Sequence, residues 1–458
     1  MTTIATAVLA AVAAISQGDL TVRPNDCPKC PFRMRIAPDA RTAFVNTAKV
    51  PEAGFQKMAD RAFMLMERAA DSRKGGARRP LMGWSSWNTY RVHISEDIIV
   101  GVAETMATNG LRDAGYRYVN IDDGFFYGRD AEGNLRVHPV RFPNGLKPVV
   151  DRIHALGMKA GIYSDGGADT CGSMYDDDKG GVGVGFYGHD DQDAKFYFGD
   201  MDFDFIKIDF CGGLKMKLDP QERYTAIRRA IDKVKPGVRL NLCRWTFPGE
   251  WARGVAESWR TTGDIRATWK SVRKIIGENI PLAPFMSLGH YNDMDMMEVG
   301  HIVGQTKTVA AHDTGLTRRE EQTHFGMWCF MSSPLLIGSD VRKIDDVTLD
   351  LITNPFLVGM NQNDLAAIPR VVQRDGDGYV LVKDCDVANG TSRYLALYNE
   401  GNKEVSLKVE FFKLDLAGKI AFFDLVERAD LGEFEDELEF SVPAHGARFF
   451  RLDAERRR

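Results

Sequence analysis

Asp209 closes a run of apolar and aromatic residues in DFDFIKIDFC (202–211), with Lys207 two positions before it. Taking an unpaired charge out of water is costly, so a strand that ends in Lys-x-Asp has a use for both side chains. The pattern recurs along the chain. Other apolar runs end at Trp84 and Trp87, at Asp122 and Asp123, at Tyr163 and Asp165, at Arg244 and Trp245, at Arg260 and Asp264, and at Asp293 and Asp295. Residues with no shared purpose would scatter over helix surfaces and loops. These gather at the ends of successive strands.

Two chemistries fit such a set. Three acidic tips, Asp123, Asp209 and Asp295, could hold a hard cation such as Mg²⁺. Lys207 and Arg260 would share the same mouth and repel it, so no metal and no other cofactor is expected. The tryptophans favour a sugar, whose C–H face wants an apolar wall and whose hydroxyls want acceptors. Cleaving a glycosidic bond takes two carboxyl groups, and Asp209 with Asp264 make the best pair. Lys207 and Arg260, close by in sequence, can hold the nucleophile and a sugar hydroxyl electrostatically.

Such tips need a scaffold that brings strand ends together. From Pro80 onward short apolar runs alternate with helical patterns: LMGWSSWN, YRYVNIDDG, KAGIYSD, FIKIDF, RLNLCRW, WRTTGDI, IPLAPFM and SPLLIGSD. Helical periodicity lies between them, over 97–109, 145–156 and 222–233 among others. Eight such units over 80–365 predict a (β/α)8 TIM barrel, whose active site is built at the C-terminal strand ends. A doubly wound sheet is the alternative, but no Gly-rich phosphate turn follows the first strand. Over 366–458 the alternation gives way to GYVLVKD, SRYLALYN, EVSLKVEF, KIAFFDL and ARFFRL, which predict a small antiparallel β-sandwich domain. Residues 1–79 read as an extension with one clear helix near 53–70, whose Phe55, Met58, Phe63 and Met66 recur at packing positions. Arg73 to Arg79 (RKGGARR) reads as a solvated linker.

Composition narrows the partners. The chain has 458 residues, with Lys plus Arg (59) nearly balancing Asp plus Glu (64), and this gives no electrostatic case for nucleic acid. The closing Glu-Arg-Arg-Arg reads as a solvated tail. No apolar run reaches the roughly 18–20 residues of a membrane-spanning helix. The start, MTTIATAVLAAVAAISQG, has about the length of a signal h-region but no basic n-region; a short Ala-rich helix or a fraying terminus is the other reading. A periplasmic or secreted location rests on the first of these. Cys27-Pro-Lys-Cys30 is a lone C-x-x-C that predicts a local disulfide or two ordinary thiols rather than zinc. Asn389-Gly-Thr391 matches a glycosylation acceptor. No oligomeric state is legible.

GWSSWN, YVNIDDG, GIYSD, KIDFC, WRTTGDI and NDMDMMEVG together resemble, in order and spacing, the motifs of glycoside hydrolase family 27, the melibiase-type α-galactosidases. The resemblance runs from about Pro80 to Asn361, and the C-terminal β domain is similar too. It implies a retaining, metal-free enzyme acting on α-galactoside-containing glycans. By that resemblance Asp209 is the nucleophile and Asp264 the acid/base; Trp87 is the sugar platform, and Asp122 with Asp123 grip the 4- and 6-hydroxyls. Tyr163, Lys207, Trp245, Arg260 and Asp295 match pocket-lining positions. Cys171 and Cys211 match two cysteines that the family joins beside the nucleophile. The chain departs from the family at Arg244, where a glutamate often stands, and at Tyr291 and Met294. With Phe247, Arg244 would crowd the C2 side, which argues against α-N-acetylgalactosaminides. Keeping both Asp122 and Asp123 favours galactose over β-L-arabinopyranose. A non-catalytic carbohydrate-binding barrel and a metal-dependent lyase are the readings from other classes.

Overall fold

The computed structural model describes residues 14–74, 76, 78–300, 315–385 and 391–454. Most of the signal-like start, Asn389 of the acceptor motif and the Glu-Arg-Arg-Arg tail lie outside the described residues.

Eight parallel strands follow one another around a closed ring: Met82–Ser85, Tyr118–Asn120, Lys159–Asp165, Phe205–Asp209, Arg239–Leu242, Ser258–Arg260, Tyr291–Asp293 and Leu335–Ile337. The last strand pairs back onto the first in parallel, with Leu335 opposite Met82. A single parallel bridge between Met297 and Ile337 joins the seventh strand's end to the eighth and closes the barrel. Seven of the eight predicted runs are strands. The exception is IPLAPFM, a 3₁₀ helix over Ile280–Phe285. Pro281 and Pro284 have no N–H to give a ladder, so the run coils and the strand falls instead on Tyr291–Asp293.

The helices on the outside start where their sequences provide caps. The Ser95 side chain accepts from Ile98 N ahead of Glu96–Thr108. Asp219 does the same for Pro220–Val234, which also begins with proline. Thr317 and Glu320 form a reciprocal capping box at the head of Arg318–Phe330. Side chains on the barrel-facing stripes, such as Val102, Met106, Ile227 and Ile231, are buried against the strands.

The C-terminal strands form an antiparallel sheet that packs on the pair Val405–Glu410 and Glu437–Val442 to make a sandwich. Its core holds Leu395, Leu397, Phe422, Phe440 and Phe450. The N-terminal segment contains more than its helix. Four strands, Ile15–Gln17, Leu20–Asn25, Met34–Ile36 and Thr42–Asn46, extend the same sheet through pairing of Arg35 with Ala429 and Met34 with Asp430. These strands are short and partly exposed, so their hydrophobic alternation is too weak to read from sequence. Ile15–Gln17 is strand where the Ala-rich-helix reading had helix. The helix itself spans Glu52–Ser72, and Phe55, Met58, Phe63 and Met66 are all buried. Its Arg61 pairs with Asp430 and Asp453, each at 2.9 Å, tying the helix to the C-terminal sheet. The supposed solvated linker is anchored too: Arg79 makes a bidentate pair with Asp364 at 2.6 and 2.7 Å. Cys27 and Cys30 are disulfide-bonded.

Barrel and sandwich meet along Arg318–Phe330. A Cβ on Gly326 would fall 2.1 Å from the Phe449 ring, so the helix lies as close to the sheet as a glycine allows. Lys383, buried beneath, donates to Ser332 Oγ at 3.1 Å and to the Met360 carbonyl at 3.2 Å, joining the sheet to two helix C-termini. Gly326→Val is therefore expected to destabilise the protein by about 3 kcal/mol through overpacking at a core aromatic. Denaturant unfolding measures this; an unchanged midpoint would show that the interface yields freely.

Candidate active site

The strand ends converge on a cavity of about 460 Å³. Its floor carries Lys207, Asp209, Arg260 and Asp295, and Trp87, Trp245 and Asp264 stand around it. Side chains alternate along a strand, so Lys207 and Asp209 of Phe205–Asp209 point the same way. The Lys207 ammonium lies 3.0 Å from Asp122 Oδ2 and 3.7 Å from Asp209 Oδ2. Arg260, at the end of Ser258–Arg260, is its counterpart. Its Nη2 lies 3.0 Å from Asp264 Oδ1 and 2.8 Å from Asp295 Oδ2. Each cation thus bridges two carboxylates.

Burial and these pairings set the charges. Burial works against both cations, but Asp122 and Asp209 hold Lys207, and Asp295 holds Arg260, well above their ordinary values. Burial pushes Asp209 upward, and Lys207 only partly offsets it. Asp295 is pushed up to about 6 by burial, against the pull of Arg260. Asp264 differs: its side chain is 60% exposed, and Arg260 and Lys207 outweigh what burial it has, so its carboxyl is held down. One aspartate is enclosed and the other open to the entrance.

Asp295 sits at φ 79° and Trp245 at φ 61°, a left-handed backbone that costs on the order of 1–3 kcal/mol for such residues. Asp295 is held there by donors on every side. Ile265 N and Met296 N donate to its two carboxylate oxygens at 2.8 Å, and Trp328 Nε1 donates to its carbonyl at 2.8 Å.

A disulfide joins Cys171 and Cys211 and brings the loop after the third strand to the loop after the fourth. The two backbones nearly touch: a Cβ on Gly167 would fall 2.1 Å from the Gly212 carbonyl carbon. The Cys171 sulfur, which carries no proton in the disulfide, lies 3.2 Å from Asp209 Oδ2. Asp123 anchors the same loop, its Oδ2 accepting from Gly172 N at 2.7 Å and its Oδ1 from Gly124 N at 2.8 Å. The Tyr163 hydroxyl accepts from Cys171 N at 3.2 Å. Asp165, Cys171 and Cys211 lie close enough to one another to suggest a metal centre. With the sulfurs bonded to each other, no thiolate is offered and the donor set does not fit a cation.

The structure therefore sorts the residues singled out by sequence. Trp87, Lys207, Asp209, Trp245, Arg260, Asp264 and Asp295 share the cavity. Asp122 lies just beneath it, lining a void of about 20 Å³ with Lys207 and Arg260. Asp123 and Tyr163 are buried behind the Cys171 loop, and Trp84 is buried in the barrel wall, its Nε1 donating to Ser339 O at 2.9 Å. Arg244 does not line the cavity; its guanidinium lies 5.9 Å from the centre of the Phe210 ring. Phe247 packs on Phe285, with ring centres 4.7 Å apart. Arg91, Tyr175 and Leu214 line the cavity without having been foreseen. The signal for the last two was present: Tyr175 follows Cys171 by four residues and Leu214 follows Cys211 by three, about one helical turn each.

Barrel and site together are those of a carbohydrate-active hydrolase. Residues 79–363 match the Melibiase_2 family model, described as alpha galactosidase A. A protein of Cellvibrio japonicus named alpha-galactosidase A is 32% identical over 397 residues, 82% of this chain and 92% of the relative. One of Dictyostelium discoideum, named a probable alpha-galactosidase, is 33% identical over 81% of this chain and 92% of its own. The crystal structure of alpha-galactosidase I from Mortierella vinacea superposes with a TM-score of 0.73 at 29% identity, covering 82% of this chain and 98% of that one. The chain belongs to the melibiase-type α-galactosidases of glycoside hydrolase family 27.

The buried carboxyls carry a consequence for stability. Asp123 and Asp165 are each pushed up to about 7, chiefly by burial. Between about pH 4 and pH 7 the folded protein holds protons there that the unfolded chain has released. Their contribution is full below about pH 4 and is lost as pH rises through 7. Asp340 and Asp453, held down to about 2, titrate below this window, whereas His324, lowered by burial to about 3, opposes the pair within it. Stability is expected to be higher at pH 5 than at pH 7.5, by about 2–4 kcal/mol once the opposing His324 is set against the pair. Thermal melts across this range, with Asp123→Asn and Asp165→Asn expected to flatten the slope, check it; a rising slope would contradict it.

Proposed function

We propose that the protein is a retaining α-galactosidase, with Asp209 as nucleophile and Asp264 as acid/base. The observation that carries this reading is the contrast between two aspartates on one cavity. Asp209 is enclosed beside Lys207, and Asp264 is open to the entrance beside Arg260. In the first step Asp209 Oδ attacks the anomeric carbon as the glycosidic C–O bond breaks, and Asp264 gives its proton to the departing oxygen. In the second, a water attacks the same carbon, Asp264 takes its proton, and the ester to Asp209 breaks. Asp209 must be ionised and Asp264 protonated to begin, yet burial raises the first and Arg260 lowers the second. The productive form is thus a minor one in the free enzyme, and a substrate that covers Asp264 favours it.

Trp87 and Trp245 supply the apolar walls a galactosyl ring needs, and Lys207, Arg260 and Asp295 supply hydrogen-bonding partners for its hydroxyls. Asp122 supports this by orienting Lys207. The substrates are terminal α-galactosyl groups of oligo- or polysaccharides. Two disulfides support work in an oxidising compartment, secreted or periplasmic. No helix among the described residues is long and apolar enough to cross a membrane.

Asp209→Asn is expected to keep the fold and lose all but about 1% of activity on an activated α-galactoside, because an amide cannot form the ester. A fluorinated galactosyl donor should label the Asp209 peptide in the wild type; a label elsewhere would reassign the nucleophile.

Asp264→Ala should slow poor leaving groups far more than activated aryl galactosides, by on the order of 100-fold or more, since acid help matters most for a basic departing oxygen. Azide should rescue the activated substrate and give the β-galactosyl azide. Equal losses on all substrates, without rescue, would remove Asp264 from the role.

A further inference from the structure

Residues 79–363 account for the barrel and its strand-end cavity, but a second cavity is lined wholly by residues outside them. It has a volume of about 510 Å³ and lies between the helix Glu52–Ser72 and the C-terminal sheet. Clefts that hold small ligands are of this size, on the order of 300–1,000 Å³. Met58 and Met64 of the helix, with Ala421 and Ala454 of the sheet, give it apolar wall. A neighbouring cavity of about 400 Å³ shares Arg68 and Arg451 with it, so the cleft runs on past a single binding unit.

Arginine builds the rest. Arg61 gives Nε to Asp430 and Nη1 to Asp453, each at 2.9 Å, and its Nη2 is buried without a partner among the described residues. Arg451, whose side chain is 4% exposed, takes the other oxygen of Asp453, with Nε at 3.0 Å and Nη2 at 2.9 Å. Its Nη1 makes no hydrogen bond among the described residues. Arg33 lines the same cavity, near enough to Asp430 to work against the burial that raises that carboxyl. Three guanidinium groups thus face two carboxylates that are already engaged, and donors are left over. Such donors are rare in native proteins and mark the place of a water or a ligand.

The rim limits the charge that can enter. Lys57 and Glu433 lie 3.7 Å apart there, and Asp60 accepts from Gln56 at 2.7 Å. With these and Arg68 the lining carries five cations and four acids, an excess of one. One negative charge suits that excess; a compact dianion would meet Asp60 and Glu433 and leave most of the space unfilled. We propose that the cleft is a second, non-catalytic carbohydrate site that takes a sugar acid, a ring bearing one carboxylate. The carboxylate accepts from Arg451 Nη1 and from Arg33, and Met58 and Met64 face the C–H surface of the ring. Asp60 and Glu433 accept from its hydroxyls. An acidic polysaccharide is thereby held away from the catalytic cavity, and nothing in this depends on the roles of Asp209 and Asp264.

Calorimetric titration of the full chain with tri-galacturonate tests this, beside mannotriose as a neutral trisaccharide and acetate as a bare carboxylate. The acidic trimer is expected to bind and the other two are not. Arg33→Gln removes a donor and Met64→Glu puts a like charge on the apolar wall; each is expected to weaken the trimer on the order of 10-fold. Both alter half-buried side chains, and unchanged thermal melts show that the variants fold. Arg33→Lys keeps the charge and should lose less. Trp245→Ala, in the catalytic cavity, should leave the affinity for the trimer as it was. No binding of the trimer, equal binding of mannotriose or acetate, or an affinity that Arg33→Gln leaves unchanged overturns the site. A loss in Trp245→Ala puts the trimer in the catalytic cavity and overturns it as well.

Discussion

Everything in the mouth of this barrel depends on keeping buried like charges from repelling one another. Asp122, Asp209 and Asp295 are almost wholly removed from water, with Asp264 beside them. Such a group is tolerable only because Lys207 sits between Asp122 and Asp209, and Arg260 between Asp264 and Asp295. The bridging also divides the acids by role. Lys207 has a buried carboxylate on each side, whereas Arg260 has one buried partner and one that opens to solvent. The difference between an enclosed nucleophile and an accessible proton donor follows from that asymmetry.

Two further constraints hold this arrangement in place. The glycine-to-glycine approach of Gly167 and Gly212 lets the loops after the third and fourth strands close on each other, and the Cys171–Cys211 bond locks them. Asp123 and Tyr163 receive backbone N–H groups from the locked loop, so their buried polar atoms are spent on position. Further out, the N-terminal strands, the helix Glu52–Ser72 and the C-terminal sheet form one continuous support joined to the barrel at Gly326 and Lys383. The N-terminal strands and those of the C-terminal domain, far apart in sequence, meet in a single sheet.

Much of this was legible in the sequence. Short apolar runs ending in charged or aromatic residues marked seven of the eight barrel strands and many of the side chains that share the mouth. Lys207 and Asp209 were bound to point together because two residues separate them on a strand. The motif order determined the family. What sequence left open was whatever depends on contact between distant segments. IPLAPFM was apolar enough for a strand, and only the ladder's demand for N–H donors excluded it. Four weak N-terminal strands became strands because the edge at Ala429 and Asp430 was there to pair with.

The same limit applies inside the site. Residue types determined that carboxylates and cations would meet; only tertiary structure decided which cation holds which acid, because Lys207 and Asp122 are 85 positions apart, and Arg260 closes one strand while Asp295 lies beyond the end of the next. Arg244 stands at a motif position beside Trp245, yet a backbone turn at Trp245 sends one side chain to the cavity and the other to Phe210. Arg91 carried no motif at all. Its place at the cavity comes from a bidentate pair with Asp176 and a stack on Trp87, and a sequence records neither the distance nor the direction of such contacts.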